Sequence, residues 1–226
     1  MHRSTSACCL LFVFVAAQLV AQDYRAETID SPAPADELAP AIVGALSPTG
    51  VRVVRGESRV IWELWPTKTW SVEANFQPTL ELLYPFQPGQ LMGVLRLPRR
   101  GADFRDQRID RGVYTLRYMQ QPVDGNHVGT SPTRDFFLLV RADADQSTDL
   151  MDPEELNIAS ADAAQSTHPA MLSLQPVAEA SGAKLPSIRH DEERDWWILR
   201  FGGKTDANGE QQELVVSIVA EGHAPE

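Results

Sequence analysis

Apolar residues along this chain recur in short runs, bounded by Gly, Pro, Asn and Asp. "VRVV" precedes "SRVIWELW", in which Val60, Trp62 and Leu64 alternate with Ile61, Glu63 and Trp65. "AIVGALS", "TLELLY", "QLMGVLRL", "VYTLRYM", "DFFLLV", "AMLSLQPV", "LPSIRH", "DWWILRF" and "ELVVSIVA" follow the same habit. Short β-branched and aromatic runs at this spacing are the signature of a sandwich or barrel, and they predict a mostly-β domain, taken as an antiparallel β-sandwich. In "DWWILRF", Trp196, Ile198 and Arg200 point one way and Trp197, Leu199 and Phe201 the other. With both faces largely apolar, this predicts an inner strand. "GGKTDANGE" carries two turn signals, Gly202-Gly203 and Asn208-Gly209, and predicts a hairpin to "ELVVSIVA". One segment departs from the pattern. Asp152 is a good N-cap, Pro153 falls at the first helical position, and Glu154 and Glu155 sit beside the positive end of the dipole. A single peripheral helix is predicted over about 153–165.

The ends of the chain change the picture. Arg3 precedes the apolar run "ACCLLFVFVAAQLV", and Leu19 and Ala21 sit at −3 and −1 of a cleavage point before Gln22. Residues 1–21 therefore read as a signal peptide, and the protein as exported, periplasmic or extracellular. The run is short for a membrane span, so no span is expected after cleavage. Cys8 and Cys9 leave with the signal, and the mature chain of about 205 residues is cysteine-free. Thiol nucleophiles and Cys-ligated metals are thereby excluded. Residues 22–40, rich in Ala, Pro and acids, read as a flexible lead-in. One domain is expected over 41–222, with 223–226 as a tail.

The formal net charge is −11 for the whole chain, and loss of Arg3 makes it −12. An acidic surface of this kind disfavours nucleic acid and anionic membrane as partners. Three groups of residues offer chemistry. The first is the loop after Tyr118, where Asp124, Asn126 and His127, with Asp135 at the next strand, supply oxygen and nitrogen ligands for a divalent metal. The same residues equally make an ordinary Asx-rich turn. The second is a run of arginines, Arg96, Arg99, Arg100, Arg105, Arg108, Arg111 and Arg117, interleaved with Asp103, Asp106 and Asp110. Arg forks suit carboxylate or phosphate groups, and they suit neighbouring aspartates as well. Arg117 and Arg134 flank the loop on its two strands and are placed to pair with Asp124 or Asp135, or to contact a ligand. The third is aromatic: Trp65 and Trp70 flank "PTKT" and are the tryptophans most expected to offer a face to a sugar. No nucleophile elbow and no paired-histidine metal motif is present.

The run from "QLMGVLRLPRR" through "GVYTLRYMQQPVDGNHVGTSPTRDFFLLV" resembles a group of exported bacterial proteins. They share a G-V-Y-T-L-R-Y strand, a Q-P-x-D-G-[DN]-H-x-G loop and an R-D-F-x-L-L strand. The "GVYTL" piece is also weakly similar to a strand of another β-sandwich family, the DUF2911 type. The resemblance covers about a quarter of the chain. It implies an exported β-sandwich module of unassigned activity and supplies no catalytic residues. Asn126 stands where that group tends to have Asp, which weakens a site that needs a carboxylate there.

The function expected from these readings is a non-catalytic binding or accessory module of the cell envelope. Its partner would be another envelope protein, a glycan or a small molecule, with no resident cofactor. The alternatives are a metal-dependent hydrolase or other metalloenzyme centred on His127, and a carbohydrate-binding module using Trp65 and Trp70.

Overall fold

The computed structural model describes residues 24–123, 131–177 and 184–224. The chain begins with β1 (Tyr24–Ile29), a short helix α1 (Pro40–Ala45), β2 (Gly50–Arg55), β3 (Arg59–Pro66) and the two-residue β4 (Trp70–Ser71). Next come β5 (Leu91–Leu97), a small ribbon of β6 (Gly101–Ala102) and β7 (Arg108–Ile109), then β8 (Gly112–Gln120) and β9 (Asp135–Arg141). Helix α2 (Pro153–Ala163) leads to β10 (Met171–Gln175), β11 (Ser187–Asp191), β12 (Trp196–Ala207) and β13 (Glu210–Glu221).

The main sheet runs in the order β1-β2-β3-β5-β8-β9-β10-β13-β12-β11. Its neighbours are antiparallel, and β4 joins β12 in parallel from the side. Strand β10 ties the two halves together. Its Met171–Ser173 segment pairs with β9, whereas Leu174 and Gln175 pair with β13. The sheet curls until its ends approach each other: the rings of Tyr24 and Trp197 lie 4.6 Å apart, and Arg55 reaches Glu221 at 4.0 Å. The mostly-β expectation therefore holds, in a form close to a barrel.

The alternation read from the sequence explains the layers. Trp62 and Leu64 of β3, Leu116 and Tyr118 of β8, Phe137 and Leu139 of β9, and Leu199 and Phe201 of β12 fill the interior. On the outside, Ile42 of α1 packs with Trp65, Leu91, Val94 and Val113. Another outer layer joins Leu156 of α2 to Phe136, Leu138 and Val140 of β9, with Trp196 and Ile198 beside them. Helix α2 stands where Asp152 and Pro153 place it, and the Asp152 carboxylate accepts from the Glu154 and Glu155 amides.

Four readings are corrected. The stretch 22–40 is not a loose lead-in over its described part: β1 pairs along β2, and Tyr24, Ile29, Leu38 and Ala39 are buried. Composition missed this because ladder pairing, rather than apolar content, holds an edge strand. "AIVGALS" forms α1, started by Pro40 at its first turn. "TLELLY" is no strand; the Thr79 hydroxyl accepts from the Glu81 and Leu82 amides and turns the chain, leaving Leu80 in solvent. Gly202 and Gly203 lie inside β12, and the hairpin turns at Asn208-Gly209, both at positive φ. Gly203 is required there because a Cβ would come within 2.3 Å of the Trp70 ring.

Candidate functional site

The region of interest is the end of the barrel from which the β8–β9 connection leaves. Asp124, Asn126 and His127, the expected metal ligands, lie outside the described residues. Asp135, the fourth, is the first residue of β9 and points inward, fully buried. Its Oδ1 accepts from the Tyr118 hydroxyl at 2.6 Å and its Oδ2 from the Leu83 amide at 2.8 Å. Burial pushes the Asp135 carboxyl above its ordinary range, against the pull of those donors. The same burial, with Asp135 close by, drives the Tyr118 hydroxyl far up, so it stays a donor. Asp135 thus pins the 78–86 loop to the barrel mouth. That loop sends Tyr84 and Phe86, stacked at 5.6 Å, into the interior. Among the described residues no three His, Cys, Asp or Glu side chains gather as a metal set.

The titration of Asp135 has a measurable sign. Its folded carboxyl holds a proton to higher pH than the unfolded chain does. Its contribution is fully present below the unfolded value of about 3.9 and is lost as pH rises through the raised folded value. The stability of the wild type relative to Asp135→Asn should therefore improve as pH falls from 7 to about 4, read by urea unfolding at each pH. A difference that stays flat would mean that Asp135 titrates alike in both states. The variant carries its own constant cost, since an amide nitrogen can face the Leu83 N–H; the pH slope is unaffected by it.

Arg117 is not free to meet a ligand. It lies on the outer side of β8, only 1 % exposed, under the strap 143–151. Its five N–H donors meet five acceptors: both Asp145 carboxylate oxygens and the carbonyls of Gly89, Ser147 and Asp149. Asp145 also accepts from the Thr115 hydroxyl at 2.5 Å. The expected pairing with Asp124 or Asp135 is replaced by this one because Arg117 and Asp135 face opposite sides of the sheet. Arg134 is half-buried and its Nε donates to the Gln121 carbonyl at 2.8 Å, which braces the two ends of the connection.

Trp65 and Trp70 are likewise corrected as sugar platforms. Trp65 is buried against α1, and its indole N–H donates to the Ser31 carbonyl. Trp70 is 1 % exposed, between Phe86 and Phe201. The arginine run is also largely paired within the fold: Arg96 with Glu63, and Arg100 and Arg108 with Asp110. Asp103 accepts from the amides of Arg105, Gln107 and Met171, and burial raises its carboxyl too.

A polar row at the same end was missed by the sequence reading. Gln175, Ser217, Arg200 and Ser187 lie directly opposite one another across β10, β13, β12 and β11, hence on one face. Gln175 donates to Ser173, which shares a hydrogen bond with Ser131 beside the β8–β9 connection. Tyr84 closes the row from within, accepting from the Ser217 amide and donating to the Gln175 carbonyl. The one available signal was Arg200, a charge in the otherwise apolar run "WWILRF". Compared with family models, curated proteins and solved structures, the chain has no match.

Proposed function

We propose that this protein is an exported, non-catalytic binding or accessory module of the cell envelope. The observation that carries this reading is the engagement of Asp135: both of its oxygens are held by donors that fix the barrel mouth. Arg117 and Asp103 are committed to the fold in the same way. The buried charges at hand thus build a rigid frame, and a rigid frame with open surface clefts suits recognition. Two such clefts lie among the described residues. One, of about 580 Å³, lies beside Arg111, Arg141 and Asp143. The other, of about 590 Å³, lies between the 72–85 loop and the β12–β13 hairpin, lined by Glu73, Phe76 and Gln212 among others. No helix among the described residues is long and apolar enough to cross a membrane.

Metal analysis of the purified protein, repeated on His127→Ala, tests this reading. The expected result is no stoichiometric metal in either. One equivalent of metal in the wild type, lost in His127→Ala, would overturn the reading in favour of a metalloenzyme.

A further inference from the structure

Among the described residues, Arg200 is a buried arginine for which the fold supplies no internal partner. The residue is 8 % exposed, and the buried part of its guanidinium is Nε. Its Nε is buried with no hydrogen-bond partner, and so is the hydroxyl of Ser217, which is 1 % exposed. The two residues are direct cross-strand neighbours on β12 and β13. Two orphaned polar groups on adjacent strands, one of them cationic, form an unusual pair. Burying an unpaired polar group is costly, and native interiors pair such groups almost without exception. Arg117 shows how this chain treats a buried arginine when a partner is built in: it receives a carboxylate and three carbonyls. No ion pair to Arg200 forms among the described residues. Glu213 comes to within 3.8 Å of where a Gly202 side chain would start, one step along the same face, yet forms no ion pair with Arg200.

We propose that Arg200 and Ser217 receive the carboxylate of a small organic acid. This rests on the binding-module reading and specifies its ligand class. Both orphaned groups can donate, so the missing partner is an acceptor. One guanidinium balances one negative charge, and the row around it, Gln175, Ser173 and Ser187, is neutral. On a chain of net charge −11, a multiply charged anion meets long-range repulsion that a monoanion largely escapes. A planar carboxylate matches the guanidinium fork with two parallel hydrogen bonds. The site sits firmly, because Tyr84 bridges β10 and β13 beside it.

The test is thermal unfolding and calorimetric titration of the purified protein with acetate, propionate and benzoate, against chloride and inorganic phosphate at equal ionic strength. A concentration-dependent rise in melting temperature is expected with the carboxylates. Arg200→Met should lower carboxylate affinity at least tenfold, and without ligand it should melt at or above the wild-type temperature, because an uncompensated charge has gone. Ser217→Ala should leave the ligand-free melting temperature unchanged and weaken carboxylate binding several-fold. A response to chloride equal to that for carboxylates overturns the proposal, as does stronger binding of phosphate. Ligand-free Arg200→Met melting well below wild type also overturns it, since Arg200 would then have a structural partner. The metal assay on His127→Ala does not involve Arg200, so failure of this proposal and failure of the binding-module reading are separately visible.

Discussion

Replacing Arg117 with Met should cost about 3–5 kcal/mol of folding stability, measured by urea or guanidinium unfolding. The mechanism is specific. Asp145 is as buried as Arg117, and its carboxylate would be left with only the Thr115 hydroxyl as a side-chain partner. The carbonyls of Ser147 and Asp149 would lose their guanidinium donors as well. The strap 143–151 would then come loose from β8, and hydrogen exchange at 145–151 should accelerate. Helix α2 follows the strap at Pro153, so its first turn should fray with it. Replacing both partners by apolar residues of similar size, Arg117→Met with Asp145→Leu, should cost less than Arg117→Met alone. A buried pair is worth little against a packed apolar isostere, whereas half a pair is expensive. If the double variant is the less stable of the two, the pair contributes more than its mutual neutralisation.

Trp70→Ala should cost about 3–5 kcal/mol, towards the upper end. The ring packs edge-on against Phe86 at 5.6 Å and Phe201 at 6.1 Å, and its indole N–H donates to the Met92 carbonyl at 2.9 Å. That carbonyl keeps the Thr67 amide as a partner, so the loss is mainly one of packing. The void cannot easily collapse, because the wall opposite the ring is Gly203, in the β12–β13 ladder and without a side chain to move in. A non-additive pair follows. Gly203→Ala in the wild type should destabilise by about 1–3 kcal/mol through overpacking. In the Trp70→Ala background the added methyl enters the space the ring has left, and the same change should be close to neutral. Equal costs in the two backgrounds would show that the ring and Gly203 are not energetically coupled.

These residues also show what was legible beforehand. The strands were readable because each carries its own period-two pattern: Trp62 and Leu64, Leu116 and Tyr118, Phe137 and Leu139 face inward as alternation requires. Helix α2 was readable because Asp152, Pro153 and two glutamates act within one turn. β1 was not, since an edge strand such as "YRAETI" is specified by the neighbour it pairs with. The burial of Trp65 and Trp70 was not legible either. "PTKT" between them looks like a solvent loop, and it is α1 and the 72–90 loop, distant in pattern from β3, that cover the rings.

The division between the two levels has a physical cause. Local rules act over a few residues, and they determined the β-rich class, the helix at 153 and the Asn208-Gly209 turn. Pairing of charges and covering of faces act across long sequence separations. Only the tertiary structure decided that Arg117 meets Asp145, that Asp135 holds the 78–86 loop, and that the Arg200 Nε and the Ser217 hydroxyl lie buried on one row without hydrogen-bond partners among the described residues. An arginine in a strand reads the same on the page whether its guanidinium is saturated or waiting; the strands and loops that arrive over it decide which.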